Sequence, residues 1–131
     1  MEEKRSLGEV AEEIYARDSR YKPDAYEFLM HVLGFTQQKL KRQGHLTAKE
    51  LLDGLRDFAI EQYGPMAKTV LNHWGLKRTE DIGNIVFNMI EKKMLSKTES
   101  DSLDDFKNVY DFQEAFGKVL DNITIYPETE L

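Results

Sequence analysis

The sequence contains no cysteine, which removes disulfides, thiolate nucleophiles and every cysteine-based zinc site together. It also lacks any run of about 18 consecutive apolar residues, so no stretch reads as a membrane-spanning helix. The charged opening Glu2, Glu3, Lys4 and Arg5 is not a secretory signal, and the chain is expected to be cytoplasmic. Without such a signal, the acceptor-like Asn122, Ile123 and Thr124 is a chance match.

Histidine is scarce as well. His31, His45 and His73 are far apart, and none has a second histidine or a carboxylate at a metal-motif spacing. Structural positions are expected for all three: a boundary of a helix stripe, a turn before a cap and a helix end. The eight glycines form no phosphate-cradling loop, and no serine or threonine stands in a nucleophile motif. The acidic run Glu99, Ser100, Asp101, Ser102, Leu103, Asp104, Asp105 lacks the central glycine and terminal glutamate of a calcium loop, so it reads as a solvated turn. No catalytic residue, metal site or cofactor is therefore expected.

An excess of basic charge is missing too. The net charge is −6, but it is unevenly spread: −2 over 1–63, +3 over 64–98 and −7 over 99–131. An acidic protein is a poor general nucleic-acid binder, because neutralising phosphates supplies most of that affinity. Only the middle segment keeps the possibility open.

What is present is a helical pattern with legible starts. Hydrophobic content of 40% with 32% charged residues suits one globular domain rather than a disordered chain. Ser6 with Glu9, Asp24 with Glu27, Thr47 with Glu50 and Asp111 with Glu114 have capping-box spacing, and Thr79 is expected to cap a further helix. Helical stripes follow, among them Val10, Ala11 and Ile14; Ala25, Phe28, Leu29 and Val32; and Leu51, Leu52, Leu55 and Ala59. Ala67, Val70, Leu71 and Trp74 make a shorter one, Ile82, Ile85, Val86, Met89 and Ile90 the cleanest, and Phe112, Phe116, Val119 and Leu120 the last. Gly64 and Gly75 read as helix stops, with Pro65 opening the next element. The expectation is a mainly α fold of six helices forming a single domain over 1–121, with a polar tail at 122–131.

The order of elements over 47–112 suggests a winged-helix-like half, with a short β-hairpin near 94–110 as its wing. The rival is a plain helical bundle in which 99–105 is a capped turn. DNA binding through that half would use Lys68, Lys77, Arg78, Lys92, Lys93 and Lys97 as a phosphate footprint. The would-be reading helix, however, carries Glu80 and Asp81 in its first turn, where a helix dipole favours them and a phosphate does not. On the same reasoning its outer face consists of Glu80, Asp81, Gly83, Asn84, Phe87, Asn88 and Glu91. An aromatic ring there is either covered by the last helix or a neighbouring loop, the simpler reading, or marks an interaction surface, for which Phe87, Asn84 and Asn88 are the candidate partner-binding residues.

Several stretches carry a family likeness. They are Tyr15 to Asp18, Ala25 to Phe28, Glu50 to Arg56, Glu61 to Val70 on through Trp74 and Gly75, Lys97 to Ser102 on through Asp105 and Phe106, and Phe112 to Phe116. Over 7–116 the chain resembles an uncharacterised family of small bacterial proteins, described as a repeat protein of unknown function. The resemblance implies a bacterial cytoplasmic protein and assigns no functional residue. Together these readings lead to a non-catalytic protein-interaction or regulatory module, binding a protein or a second copy of itself rather than nucleic acid or membrane. A winged-helix DNA-binding regulator is the alternative, and any small-molecule ligand stays open.

Overall fold

The computed structural model describes residues 6–96 and 102–123, with side chains described through residue 117. The chain is mainly helical: α1 (Leu7–Arg17), α2 (Pro23–Leu40), α3 (Ala48–Tyr63), α4 (Ala67–His73), α5 (Thr79–Glu91) and α6 (Phe112–Ile123). Two 3-10 turns, Gly64–Met66 and Leu103–Phe106, join α3 to α4 and precede α6.

The caps explain where most helices begin. Ser6 Oγ accepts from Glu9 N at 3.1 Å while Glu9 returns a carboxylate to Ser6 N at 2.9 Å. Thr47 and Glu50 repeat the exchange at 3.1 and 2.9 Å, and Asp111 accepts from Glu114 N at 3.1 Å. Two expected caps are corrected. α2 begins one residue ahead of Asp24, with Pro23 in its first turn and no side-chain cap from Lys22. The rigid φ of proline suits that position and its missing N–H is not needed there. Thr79 lies inside α5 rather than before it. Its hydroxyl donates to Phe106 O at 2.6 Å and accepts from Val109 N at 3.2 Å. The orphan amides of Lys77 and Arg78 go instead to Asp81 Oδ2, at 2.8 and 3.2 Å.

The core runs between α1, α2, α3 and α5. α2 lies along α3, and their close approach needs Gly54, where a Cβ would overlap the Thr36 side chain. α6 packs on the Gly64–Met66 turn, α4 and α3. The expected stripes of α1, α2, α3 and α5 face this core, as do Ala67 and Leu71 of α4, Trp74 at its end, and Phe112 and Phe116 of α6. The side chains of Val119 and Leu120 lie outside the described ones. The core also extends further. Tyr21, Tyr26, Leu46 and Leu76 are all buried, three of them in connections. Gly75, at φ +95°, turns the chain after α4 so tightly that a Cβ would meet the carbonyl of Arg20. That turn is pinned to the α1–α2 connection by Lys22 N donating to Trp74 O at 3.0 Å.

No strand occurs among the described residues. Phe106, expected to open the second arm of a hairpin, ends the Leu103–Phe106 turn, and 107–109 is turn and bend. Ser102 caps this turn, accepting from Asp104 N at 3.1 Å while Asp105 Oδ2 accepts from Ser102 N at 3.2 Å. Local side-chain bonds of this kind satisfy backbone groups that a β-ladder would otherwise use. The remainder of the expected wing tip, 97–101, lies outside the described residues. Of the tail expected over 122–131, residues 122 and 123 instead end α6 and the rest lies outside the described residues.

Candidate functional site

α5 decides where the site is. Of the outer face expected for it, only Glu91 is exposed. Asp81, at 9% exposure, and Gly83 are buried, and Asn84, Phe87 and Asn88 are half-buried. The helix is covered on both flanks, by different means.

One flank is sealed by polar pairing with the α1–α2 turn. Tyr21 donates its hydroxyl to Asp81 Oδ1 at 2.7 Å and accepts from Asn84 Nδ2 at 2.8 Å. Asn88 Nδ2 donates to Asp18 Oδ2 at 3.1 Å and to the hydroxyl of Tyr26 at 3.0 Å. Arg20 closes on Asp18 through two contacts at 2.9 and 2.8 Å. Buried polar groups are tolerable because each finds a partner. The Arg20 contact holds the Asp18 carboxyl well below the usual carboxylate range. Burial, aided by the bond to Asp81, pushes the Tyr21 hydroxyl up to about 12. Asn84 and Asn88 are thus committed to the fold rather than displayed to a partner.

Among the described residues the other flank is apolar and incomplete. Phe87 lies on a pocket of about 320 Å³ walled by Leu33, Leu46, Leu51, Val86, Ile90 and Phe106. Its volume is at the lower end for small-ligand sites. Phe106 reaches this position because Gly83 gives it room: a Cβ there would stand 2.8 Å from the ring. The α2–α3 connection forms a second wall, with His45, Leu46 and Thr47 on it, and Leu95, Ser96 and Asp105 complete the rim. Three of the polar side chains on the wall hold backbone groups of their own loops. Gln37 Nε2 donates to Gly44 O at 2.8 Å, Thr47 holds Glu50 N, and Asp105 holds Ser102 N. With His45 and Ser96 as the other polar side chains, the lining offers mostly surface for an apolar group.

The expected basic footprint is not brought together on one element. Lys77 and Arg78 precede α5 and Lys92 and Lys93 follow it, some 20 Å apart at 1.5 Å per residue. Lys92 is also paired with Glu13 at 3.2 Å. Lys68 is on α4, and Lys97 lies outside the described residues. His31, His45 and His73 are exposed on separate elements, and no group of three or more metal-ligand side chains converges among the described residues. No helix among those residues is long and apolar enough to cross a membrane.

The pocket was not visible in the sequence, although Phe87 was singled out. Its walls come from α2, the α2–α3 connection, α5 and the Leu103–Phe106 turn, and no local spacing reports that convergence. Compared with known proteins, the chain matches no family model, no curated protein and no solved structure.

Proposed function

We propose that this protein is a non-catalytic interaction or regulatory module of the bacterial cytoplasm, whose working surface is the apolar pocket beside Phe87. The supporting observation is the contrast across α5: one flank hydrogen-bonded through Asp81, Asn84 and Asn88, the other holding an apolar concavity among the described residues. Unfilled concave apolar surface costs contacts, and a ligand or partner group recovers them. The resemblance over 7–116 fits a bacterial protein and adds no chemistry. Broad self-association has less support, because the exposed large apolar residues Leu40, Met66 and Leu103 stand on three different elements.

DNA recognition by a winged helix is the weaker alternative. Its reading helix has Asp81 capping its own start and Asn84 and Asn88 already bonded, so the side chains that read bases are absent from that face.

A neutral apolar dye, N-phenyl-1-naphthylamine, tests the proposal. It is expected to brighten with the wild-type chain, and to do so far less with Phe87→Gln or with Leu95→Gln at the rim. Dye uptake that is absent, or unchanged by both substitutions, would falsify the pocket as the working surface. In the same preparation, mixed-sequence DNA is expected not to bind even at low salt, where phosphate contacts are strongest.

A further inference from the structure

The apolar pocket has a polar neighbour. Gln37 lines both it and a shallow basin formed by Gly34, Gln38, Lys41, Arg42 and Gln43 at the end of α2. The basin contains two cations and no acid. Lys41 is exposed, ends α2 in the left-handed conformation at φ +54°, and has no ion-pair partner among the described residues. Arg42 is partly neutralised, since it pairs with Glu50. Asp105, next to the exposed Asp104, is the acid among the pocket's own lining residues. The pocket therefore has a largely apolar lining with one acid on it, and its cations stand on the basin that adjoins it at Gln37.

We infer that the pocket binds a small anionic amphiphile, a medium-length aliphatic chain ending in a carboxylate, with the chain against Phe87 and the carboxylate at Lys41. The inference rests on the reading of the pocket as the binding surface and names its ligand. The size fits: at about 30 Å³ for a methylene, close to a water molecule's share of liquid, the 320 Å³ pocket holds a chain of about ten carbons. The interior fits as well, because Gln37, Thr47 and Asp105 already hold backbone groups and a saturated chain asks nothing of them. The orientation follows from charge. A carboxylate is repelled by Asp105 and attracted by Lys41, so the head is placed at the end of α2. Apolar burial supplies the affinity, while the exposed cation supplies selectivity.

Competition against the neutral dye, on the full chain at low salt, tests this. Decanoate, decanol and decyltrimethylammonium share one chain and differ in the sign of the head. Decanoate is expected to displace the dye from wild type at the lowest concentration of the three. In Lys41→Gln its potency is expected to fall about fivefold, the size of one exposed ion pair, with decanol unchanged. Lys41→Arg should retain the preference, and raised salt should erase it. A dye that binds through Phe87 while decanoate competes equally in wild type and Lys41→Gln overturns the anionic ligand and leaves the pocket standing. Stronger competition by decyltrimethylammonium than by decanoate overturns it in the same way. Failure of the dye to bind at all removes both readings.

Discussion

The two flanks of α5 make an instructive pair. They belong to one helix of 13 residues, yet one is closed by polar side chains and the other is left open by apolar ones. On the closed flank Asn84 and Asn88 are surrounded because Tyr21 and Asp18 reach them from the α1–α2 turn and Tyr26 from the first turns of α2. On the open flank Phe87 lines a pocket with Leu33, Leu46, Leu51, Ile90 and Phe106. A polar surface can thus be the structural part of a helix and an aromatic one the available part, the reverse of what surface polarity suggests. The difference teaches that hydrogen-bond satisfaction, more than residue type, decides which face a protein can leave open.

Substitutions can break this contrast or sharpen it. The largest effect is expected where the closed flank is anchored. Gly75→Ala puts a Cβ against the Arg20 carbonyl at a positive φ, and should lower stability by about 3 kcal/mol or more. The urea midpoint reports it, and an unchanged midpoint would show that the α1–α2 turn is not seated there.

Next comes Gly83→Ala, which joins the two flanks. The new methyl must displace Phe106, at a cost of about 1–3 kcal/mol, and shifts a wall of the pocket. Weakened dye binding together with a lower melting temperature is the expected signature; loss of stability alone would detach Phe106 from the site.

Tyr21→Phe follows, at about 1–2 kcal/mol near neutral pH, because Asp81 loses a donor and Asn84 an acceptor. It should also change the pH dependence. The folded-state pKa of Tyr21 is raised from 10.0 to about 12, so its contribution is complete below pH 10 and is lost as pH rises through 12. Wild type should therefore lose stability across that window more steeply than the phenylalanine variant. Asp18 acts with the opposite sign. Its folded-state pKa is depressed, so its contribution is present above its ordinary 3.8 and disappears as pH falls below that value. Asp18→Asn should flatten the acid limb of the stability curve, and an equally steep limb would assign acid sensitivity to other carboxylates.

The smallest effect on stability is expected from Phe87→Gln, within about 1 kcal/mol, because the ring is only half-buried. Binding of the dye should nevertheless be lost. Equal losses of stability and binding would mean that the open flank is as structural as the closed one.

By itself the sequence determined what depends on neighbours three or four residues away. The boxes at Ser6 and Thr47, the stop at Gly64 and the apolar stripes of α1, α3 and α5 belong here, because capping and helical periodicity are local. The segment around Phe87 was legible in the same limited sense, as an aromatic residue off the main stripe. What faces that residue was decided only in three dimensions. Asn84 and Asn88 find partners 62 to 70 positions away, Tyr21 and Leu76 are buried from connections, and the pocket draws its walls from separate elements. A helix reports its own period along the chain, but whether its polar side is solvated or paired depends on which distant side chains arrive there. In α5 that arrival turned the expected outer face into a paired seam on one flank and a pocket on the other.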